Sequence, residues 1–351
     1  MAENKEDIKA QVLEAYKNHR ALQIQAGETK HFYGRNINGE PLSLLKHTGI
    51  TEYEPSELFI TSHSGTPLIE IEQAIEKHNQ MLPFEPPYFG STATVGGMVA
   101  AGLSGPRRAS AGAVRDCILG VDIINGKGEY LHFGGKVMKN VAGYDVSRLM
   151  CGALGTLGVL MSITLRLAPM PPCEQTIAIS LNPNDAIQKM NEWANTAMPI
   201  SASFYDGNDL YVRLSGSLST TQACIDIIGG ECIDWSDIFW KNIREHAHDF
   251  FITDLPLWRI SVPPNTPPLK LSGSYVMEWN GGLRWYATED NAEYLRAEVE
   301  SVDGHACVFR GNNTEQVFHP LSDVSMKIHR KLKHAFDPAG ILNPGKMYAE
   351  F

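Results

Sequence analysis

The six cysteines, at 117, 151, 173, 224, 232 and 307, include no C-x-x-C pair. A zinc ribbon or an iron–sulfur cluster normally needs that spacing, so the thiols are read as reduced core residues and no metal site is expected. Long apolar runs are missing too: no stretch of about 18 uninterrupted apolar residues occurs, and the charged start MAENKEDIKAQV has no apolar signal segment. A cytoplasmic chain is expected. Basic charge is short as well, with 30 Lys and Arg against 40 Asp and Glu, a net −10. Nucleic acids and anionic membranes require a net basic face to displace counterions, so neither is an expected partner, although a local basic pocket stays compatible with an acidic whole. Two nucleotide fingerprints are absent. Gly152-x-x-Gly155-x-x-Gly158 has the wrong spacing for a G-x-G-x-x-G turn, and Gly340 to Lys346 has phosphate-loop spacing but Met347 where the magnesium-binding hydroxyl belongs.

What is present suits a folded protein of two domains, since 351 residues exceed one typical core and hydrophobic residues make up 43%. Apolar residues at helical spacing run from Glu6 to His19, and Leu22 to Gln25 then enter a tight loop at Ala26-Gly27-Glu28-Thr29. Leu58 to Ser62 reads as a strand and Leu68 to His78 as a helix. Leu119 to Ile124 and Glu129 to Phe133 alternate around Asn125-Gly126-Lys127-Gly128, which predicts a hairpin with a type I′ turn at Asn-Gly. The prolines of APMPPCE after Leu167 suggest a crossing into a second, α+β domain. There Thr176 to Leu181 reads as a strand, Ala186 to Trp193 as a helix, Ser203 to Leu214 as two strands and Thr220 to Ile228 as a helix; Tyr275 to Trp279 and Leu283 to Ala287 pair across Gly281-Gly282. A basic helix from Asp323 to Phe336 stops at Asp337-Pro338-Ala339-Gly340. The expected divisions are 1–170, 171–322 and 323–351.

Two glycine-rich loops, Ala26 to Gly34 and Gly90 to Gly105, each follow an apolar segment. Backbone amides without an intervening Cβ can approach a pyrophosphate closely, so such loops suit a dinucleotide held by backbone; tight loop packing is the alternative. Their order helps to decide. Ala26-Gly27-Glu28-Thr29-Lys30, then Gly90-Ser91-Thr92-Ala93-Thr94-Val95-Gly96-Gly97 with Gly102, then Gly112-Ala113-Val114-Arg115-Asp116, Lys139 to Asp145, and Gly155-Thr156-Leu157-Gly158-Val159 follow one another along the chain. In that order they resemble the FAD-binding domain of the vanillyl-alcohol-oxidase and p-cresol-methylhydroxylase superfamily. FEPPYFG, GLSGPRR, GAVRDCILG, KNVAGYDVSRL, LWRISVPP and ILNPGKMY resemble, within it, the FAD-binding subunits of bacterial glycolate oxidases, from about Gln23 to Tyr348.

The resemblance implies an α+β, two-domain PCMH-type FAD-binding fold: FAD-binding domain 1–170, a smaller cap-like domain 171–322 and a C-terminal return to the FAD domain. It implies FAD held by Gly27, Thr29, Lys30, Gly90, Ser91, Thr92, Thr94, Val95, Gly96, Gly97, Gly102, Arg115, Asp116, Gly158, Val159 and Asn343, with the adenine near Gly158 and Val159. Covalently flavinylated relatives carry a His directly after the loop glycines. Here the nearest, His31, lies four residues after Gly27, so non-covalent FAD is expected. Glu28 stands where relatives have glycine; it must point away from the phosphates or bind a ribose hydroxyl. An FAD-dependent oxidoreductase acting on CH–OH groups is implied, working in a glycolate oxidase complex with a catalytic FAD subunit and an iron–sulfur subunit, possible contact with the inner face of the cell membrane running through those partners. Two alternatives stay open: a self-sufficient 2-hydroxy-acid dehydrogenase and a non-catalytic structural subunit.

Hydroxy-acid oxidation needs a base for the hydroxyl proton and cations for the carboxylate. No histidine-rich G-D-G-N-x-H-like segment is found, and His246-Ala-His248 is read as an exposed pair on a charged helix. Arg259, Arg284 and Arg310, each beside apolar residues, are read first as internal ion pairs or subunit contacts; Arg259 and Arg284 are the candidates for a substrate carboxylate.

Overall fold

The computed structural model describes residues 5–135, 145–311 and 316–351. Most of the segment Lys139 to Asp145 lies outside the described residues; Asp145 itself caps the short helix Val146–Met150 through its side chain. One half is built on a five-stranded antiparallel sheet in the order Ile50–Glu54, Phe59–His63, Val159–Arg166, Ile118–Ile124, Tyr130–Gly134. Val159–Arg166 is its middle strand, and six of its eight residues are buried, as a strand covered on both faces should be. Helix Leu68–Glu76 buries Leu68, Ile71 and Ile75, one stripe at helical spacing, in the same core.

The predicted hairpin forms between Ile118–Ile124 and Tyr130–Gly134. Its turn is not the expected type I′. Positive φ falls on Gly128 rather than on Asn125 and Gly126, because the Asn125 side chain accepts the amides of Lys127 and Glu129 and closes a longer loop. Gly126 then donates its amide to the Phe336 carbonyl, at the end of the closing helix.

Helix Lys5–Asn18 packs Ile8, Val12 and Ala15 beside a small parallel pair, Leu22–Gln25 with Glu40–Ser43. Leu342 bridges to Leu22 in parallel, so the C-terminal tail lies against the first strand. Helix Asp323–Phe336 brings it there. The amine of Lys333, buried, donates to the Thr156 carbonyl at 2.8 Å, the Asp337 carboxylate at 2.7 Å and the Leu342 carbonyl at 2.7 Å. A buried charge is tolerable only with such complete satisfaction.

The other half is an eight-stranded antiparallel sheet: Glu231–Cys232, Cys173–Ser180, Asp209–Gly216, Ile200–Tyr205, Ser274–Glu278, Leu283–Ala287, Leu257–Ser261 and His305–Arg310. Helix Ala292–Glu300 is not anticipated by the sequence reading; helix Ser236–Arg244 ends just before the histidine pair read as lying on a charged helix, and Leu257–Ser261 and His305–Arg310 are the strands that carry Arg259 and Arg310. All six thiols are free, but Cys232 is exposed on a two-residue edge strand and is not a core thiol.

The two halves meet through charge and aromatics. Glu85 receives Arg107 at 3.4 Å and Arg213 at 2.8 Å, and Arg107 reaches Glu174 at 2.6 Å, so side chains of both halves share one buried network. Glu245 accepts the amides of Tyr88 and Phe89. Phe32 and Tyr33 pack on Phe309 at ring distances of 5.3 and 5.4 Å.

Candidate functional site

A cleft opens between the loop after the first strand and the helix Val95–Ala101. The loop wall runs from Gln23 to Tyr33, the facing wall is Thr94, Gly96, Gly97 and Ala100, and Leu154, Gly155, Gly158, Asn343 and Lys346 close it. The two loops touch. Thr92 donates its hydroxyl to the Gly27 carbonyl at 2.7 Å, and a Cβ on Gly27 would lie 1.6 Å from the Thr92 carbonyl oxygen, so only glycine allows this approach.

The amides of Gly27, Glu28, Thr29 and Lys30 donate to no acceptor among the described residues. Those of the facing helix are used: Val95 and Gly96 donate to the Thr66 and Ser64 carbonyls, and Gly97 to the Thr94 hydroxyl. The free donors therefore belong to the first loop. Glu28 sits there at φ 54 with its side chain exposed, in the left-handed region that favours glycine.

Two lysines point charge into this space. Lys30 donates to the Tyr88 carbonyl at 3.1 Å and stands 5.6 Å from the Phe89 ring centre; burial lowers its amine to about 8 against the pull of Glu245. Lys346 donates to the His31 carbonyl at 3.2 Å, and burial lowers its amine too. A wall of backbone amides with flanking ammonium groups fits a pyrophosphate, and the apolar lining of Ile24, Leu44, Leu154 and Leu160 fits the flat parts of a dinucleotide.

Of the sequence candidates, the cleft gathers Gly27, Thr29, Lys30, Thr94, Gly96, Gly97, Gly158 and Asn343. Asn343 is committed to the fold, its carboxamide accepting the Ile24 amide and donating to the Leu154 carbonyl. The others stand outside. Gly90, Ser91 and Thr92 are exposed beyond the cleft, Val95 and Val159 are fully buried core residues, and Gly102 ends the helix at φ 64. Arg115 is exposed, and Asp116 accepts the Ala113 amide in a local cap. Tyr33, Gly155 and His31 line the cleft without having been singled out as cofactor contacts, and Lys346 lines it from the C-terminal tail whose return to the FAD domain the sequence reading expects. For Lys346 the signal was at hand, since it follows Asn343 by three residues.

The reading of the arginines is corrected. Arg284 is fully buried and gives its donors to the carbonyls of Gly281, Thr266 and Pro267, so it forms neither an ion pair nor a carboxylate clamp. Arg259 has no carboxylate at ion-pairing distance among the described residues; it stands 5.3 Å from the centre of the Trp279 ring, beside the buried Cys307 thiol. Arg310 reaches His246 Nδ1 at 3.4 Å. The histidine pair is not an exposed feature of a helix either. His246 follows helix Ser236–Arg244 at φ 54, stacks on Phe251 at 4.0 Å, and is held well below its ordinary pKa by burial and then by Arg310 and Arg259. His248 accepts the Phe250 amide. Among the described residues, no group of three or more His, Cys, Asp and Glu gathers as metal ligands would, and no helix is long and apolar enough to cross a membrane.

Residues 1–134 match the family model described as FAD binding domain, and residues 314–347 the one described as FAD linked oxidases, C-terminal domain. Glycolate oxidase subunit GlcE of Escherichia coli strain K12 is 42% identical over 97% of this chain and 96% of its own. Glycolate oxidase subunit GlcD of Bacillus subtilis strain 168 is 28% identical over 97% of this chain and 87% of its own. A D-lactate dehydrogenase of Archaeoglobus fulgidus is 32% identical, but over 41% of this chain and 32% of that protein. Among solved structures, alkyldihydroxyacetonephosphate synthase superposes with a TM-score of 0.66 at 15% identity, covering 97% of this chain and 76% of that one, a likeness of fold alone.

Proposed function

We infer, from a chain that belongs to the family of the GlcE subunit of glycolate oxidase and has the PCMH-type FAD-binding fold, that it is the FAD-binding subunit of a glycolate oxidase complex and an oxidoreductase component acting on CH–OH groups. The observation that carries this is the row of free amides from Gly27 to Lys30 facing Gly97, inside the region that matches an FAD binding domain, with the half-buried Lys30 and the buried Lys346 beside it. When bound, FAD supplies acceptance of a hydride and its release as electrons. The chain's own part is positional. The amides of the first loop would receive pyrophosphate oxygens, Lys30 and Lys346 would balance their charge, and Asn343 would hold the loop strand against the closing tail. Glu28, at the rim, would face a ribose hydroxyl or solvent.

The family membership implies partner subunits, and we take them to be a histidine-bearing catalytic flavoprotein and an iron–sulfur protein. The sequence has no C-x-x-C, so electrons leaving the flavin need an acceptor elsewhere. A cytoplasmic complex touching the membrane through its partners agrees with this reading.

Flavin chemistry of the purified chain tests the core of it. The protein should be yellow, and acid precipitation should release all FAD into the supernatant. Flavin fluorescence staying on the denatured band would establish a covalent bond, with His31 in the cleft as its first suspect; purified folded chain with no affinity for added FAD would remove the cofactor reading altogether.

A further inference from the structure

Strand pairing places Arg259 opposite Cys307 on one side and Trp285 on the other, so these three side chains share one face of the eight-stranded sheet. His305, Cys307 and Phe309, two residues apart on the edge strand, line this same face, and Phe309 packs on Tyr33 of the cleft wall. This face therefore looks toward the cofactor cleft. Trp279 directly follows the strand Ser274–Glu278, and its indole nitrogen donates to the Gly105 carbonyl of the other half at 3.0 Å. Two guanidiniums lie against that indole: Arg108, from the glycine-rich half, 4.3 Å from the ring centre, and Arg259 at 5.3 Å.

The two arginines are uncompensated. Neither has a carboxylate within ion-pairing distance among the described residues, whereas the adjacent Arg107 has both Glu85 and Glu174. The charges nearby do not fill the gap. Asp116 is committed to the Ala113 amide and stands 3.9 Å from Arg115. Glu278 accepts from Trp285 Nε1 and feels Arg259 from beyond ion-pairing distance, but burial outweighs both and raises its carboxyl to about 7, so it offsets Arg259 only in part. Burial, then Arg259 and Arg115, lowers Arg108 to about 10, which leaves it cationic at neutral pH. His305 is held below its ordinary value by burial, then by Arg259, His319 and Arg108.

Two half-buried cations of like sign beside each other cost free energy unless an anion joins them. The planar guanidinium fork matches a carboxylate in two hydrogen bonds, and the indole face holds guanidinium planes in place for it. We propose that Arg108 and Arg259, held against Trp279 where the two halves meet, form the binding site for the carboxylate of a small 2-hydroxy or 2-oxo acid. The site takes one arginine from each half, and Tyr33 and Cys307 connect it to the cleft. The naming of a hydroxy acid rests on the FAD reading of that cleft; the anion site itself rests on the arginines.

Oxalate, a two-carbon acid that flavin cannot oxidise, is the probe. Its binding to the purified full chain is measured by titration calorimetry, and FAD content separately by absorbance after acid release. Wild-type chain should bind oxalate; Arg108→Gln and Arg259→Gln should each weaken it about tenfold or more, as loss of a charge-assisted pair requires. Arg330→Gln, on the closing helix, should change nothing. Lysine at 108 or 259 keeps the charge without the fork and should fall between wild type and glutamine, which also serves if a glutamine variant fails to fold. The proposal is overturned if FAD-loaded wild-type chain shows no oxalate binding, if both glutamine variants bind as wild type does, or if Arg330→Gln weakens binding equally. Chain that binds oxalate through these arginines but takes up no FAD would keep the anion site and overturn the flavin reading.

Discussion

Adjacent glycines in the second loop have opposite surroundings. A Cβ on Gly96 would meet Ser64 at 2.7 Å and its carbonyl oxygen at 2.9 Å, while a Cβ on Gly97 would meet only the Thr94 hydroxyl, at 3.2 Å. Gly97→Asp should therefore fold, helped by an acid in the first turn of a helix, and lose FAD by placing a carboxylate beside the pyrophosphate. Gly96→Asp should instead lower the melting temperature. Circular dichroism and flavin content on both variants separate packing from binding; full flavin occupancy in folded Gly97→Asp would refute the placement. Lys30 adds a pH test. Its amine falls from 10.5 to about 8 in the folded chain, so between those values the unfolded chain binds more protons and apo stability gains from this group as pH rises. An anionic cofactor reverses the preference by favouring the ammonium form. FAD affinity, read by fluorescence quenching, should fall as pH rises through about 8, and the slope should shrink in Lys30→Met. Lys346, also lowered by burial, should carry the remainder, with Glu245, Glu28 and His31 the other ionisable neighbours. A slope unchanged in Lys30→Met would remove Lys30 from the phosphate site.

Between elements, the network at Glu85 decides whether the halves hold together. Burial pushes the Glu85 carboxyl up, but Arg213 and Arg107 more than offset this and hold it below its ordinary value. A carboxyl depressed by folding contributes stability above its unfolded pKa and loses it as pH falls through the folded one, so acid should part the halves early. Glu85→Ala should cost about 3 to 5 kcal/mol by leaving the buried Arg213 guanidinium with Glu174 only at 4.0 Å and Arg107 with Glu174 alone. Urea unfolding with Trp279 fluorescence as an interface probe would measure it, and a loss below about 1 kcal/mol would place the network among weak surface pairs. Much of the element pattern was legible in sequence. Helix Asp323–Phe336 matches its reading to the residue, and the strands on either side of Gly281-Gly282 pair antiparallel as read. The bounds of Leu257–Ser261 were not legible because Arg259 interrupts its apolar run, and the partner that excuses a half-buried arginine, Trp279, lies in the turn after another strand. The type I′ turn failed because nothing local tells that Asn125 will spend its side chain on two amides.

For the whole molecule, hydride abstraction requires a base beside the hydroxyl, and no histidine here falls in a segment recognisable as catalytic. The isolated chain should therefore not turn over glycolate or D-lactate, while its complex with the partners proposed above, a catalytic flavoprotein and an iron–sulfur subunit, should, in a dye-linked assay. Flavin bleaching by isolated chain at the rate of the complex, abolished in Arg259→Ala, would install the self-sufficient alternative. The cofactor cleft was readable as far as its glycines, because backbone approach leaves a compositional trace. Tyr33 and Arg108 were not, because their meeting with the rest depends on how far-separated segments pack. That long-range closure has a consequence for biosynthesis. Ile24 is made long before Asn343, yet its amide waits for the Asn343 side chain, and the lysine that flanks the cleft comes three residues later. A ribosome-bound nascent chain ending before these residues would have folded sheets but an open cleft, so flavin loading belongs after translation has passed Lys346.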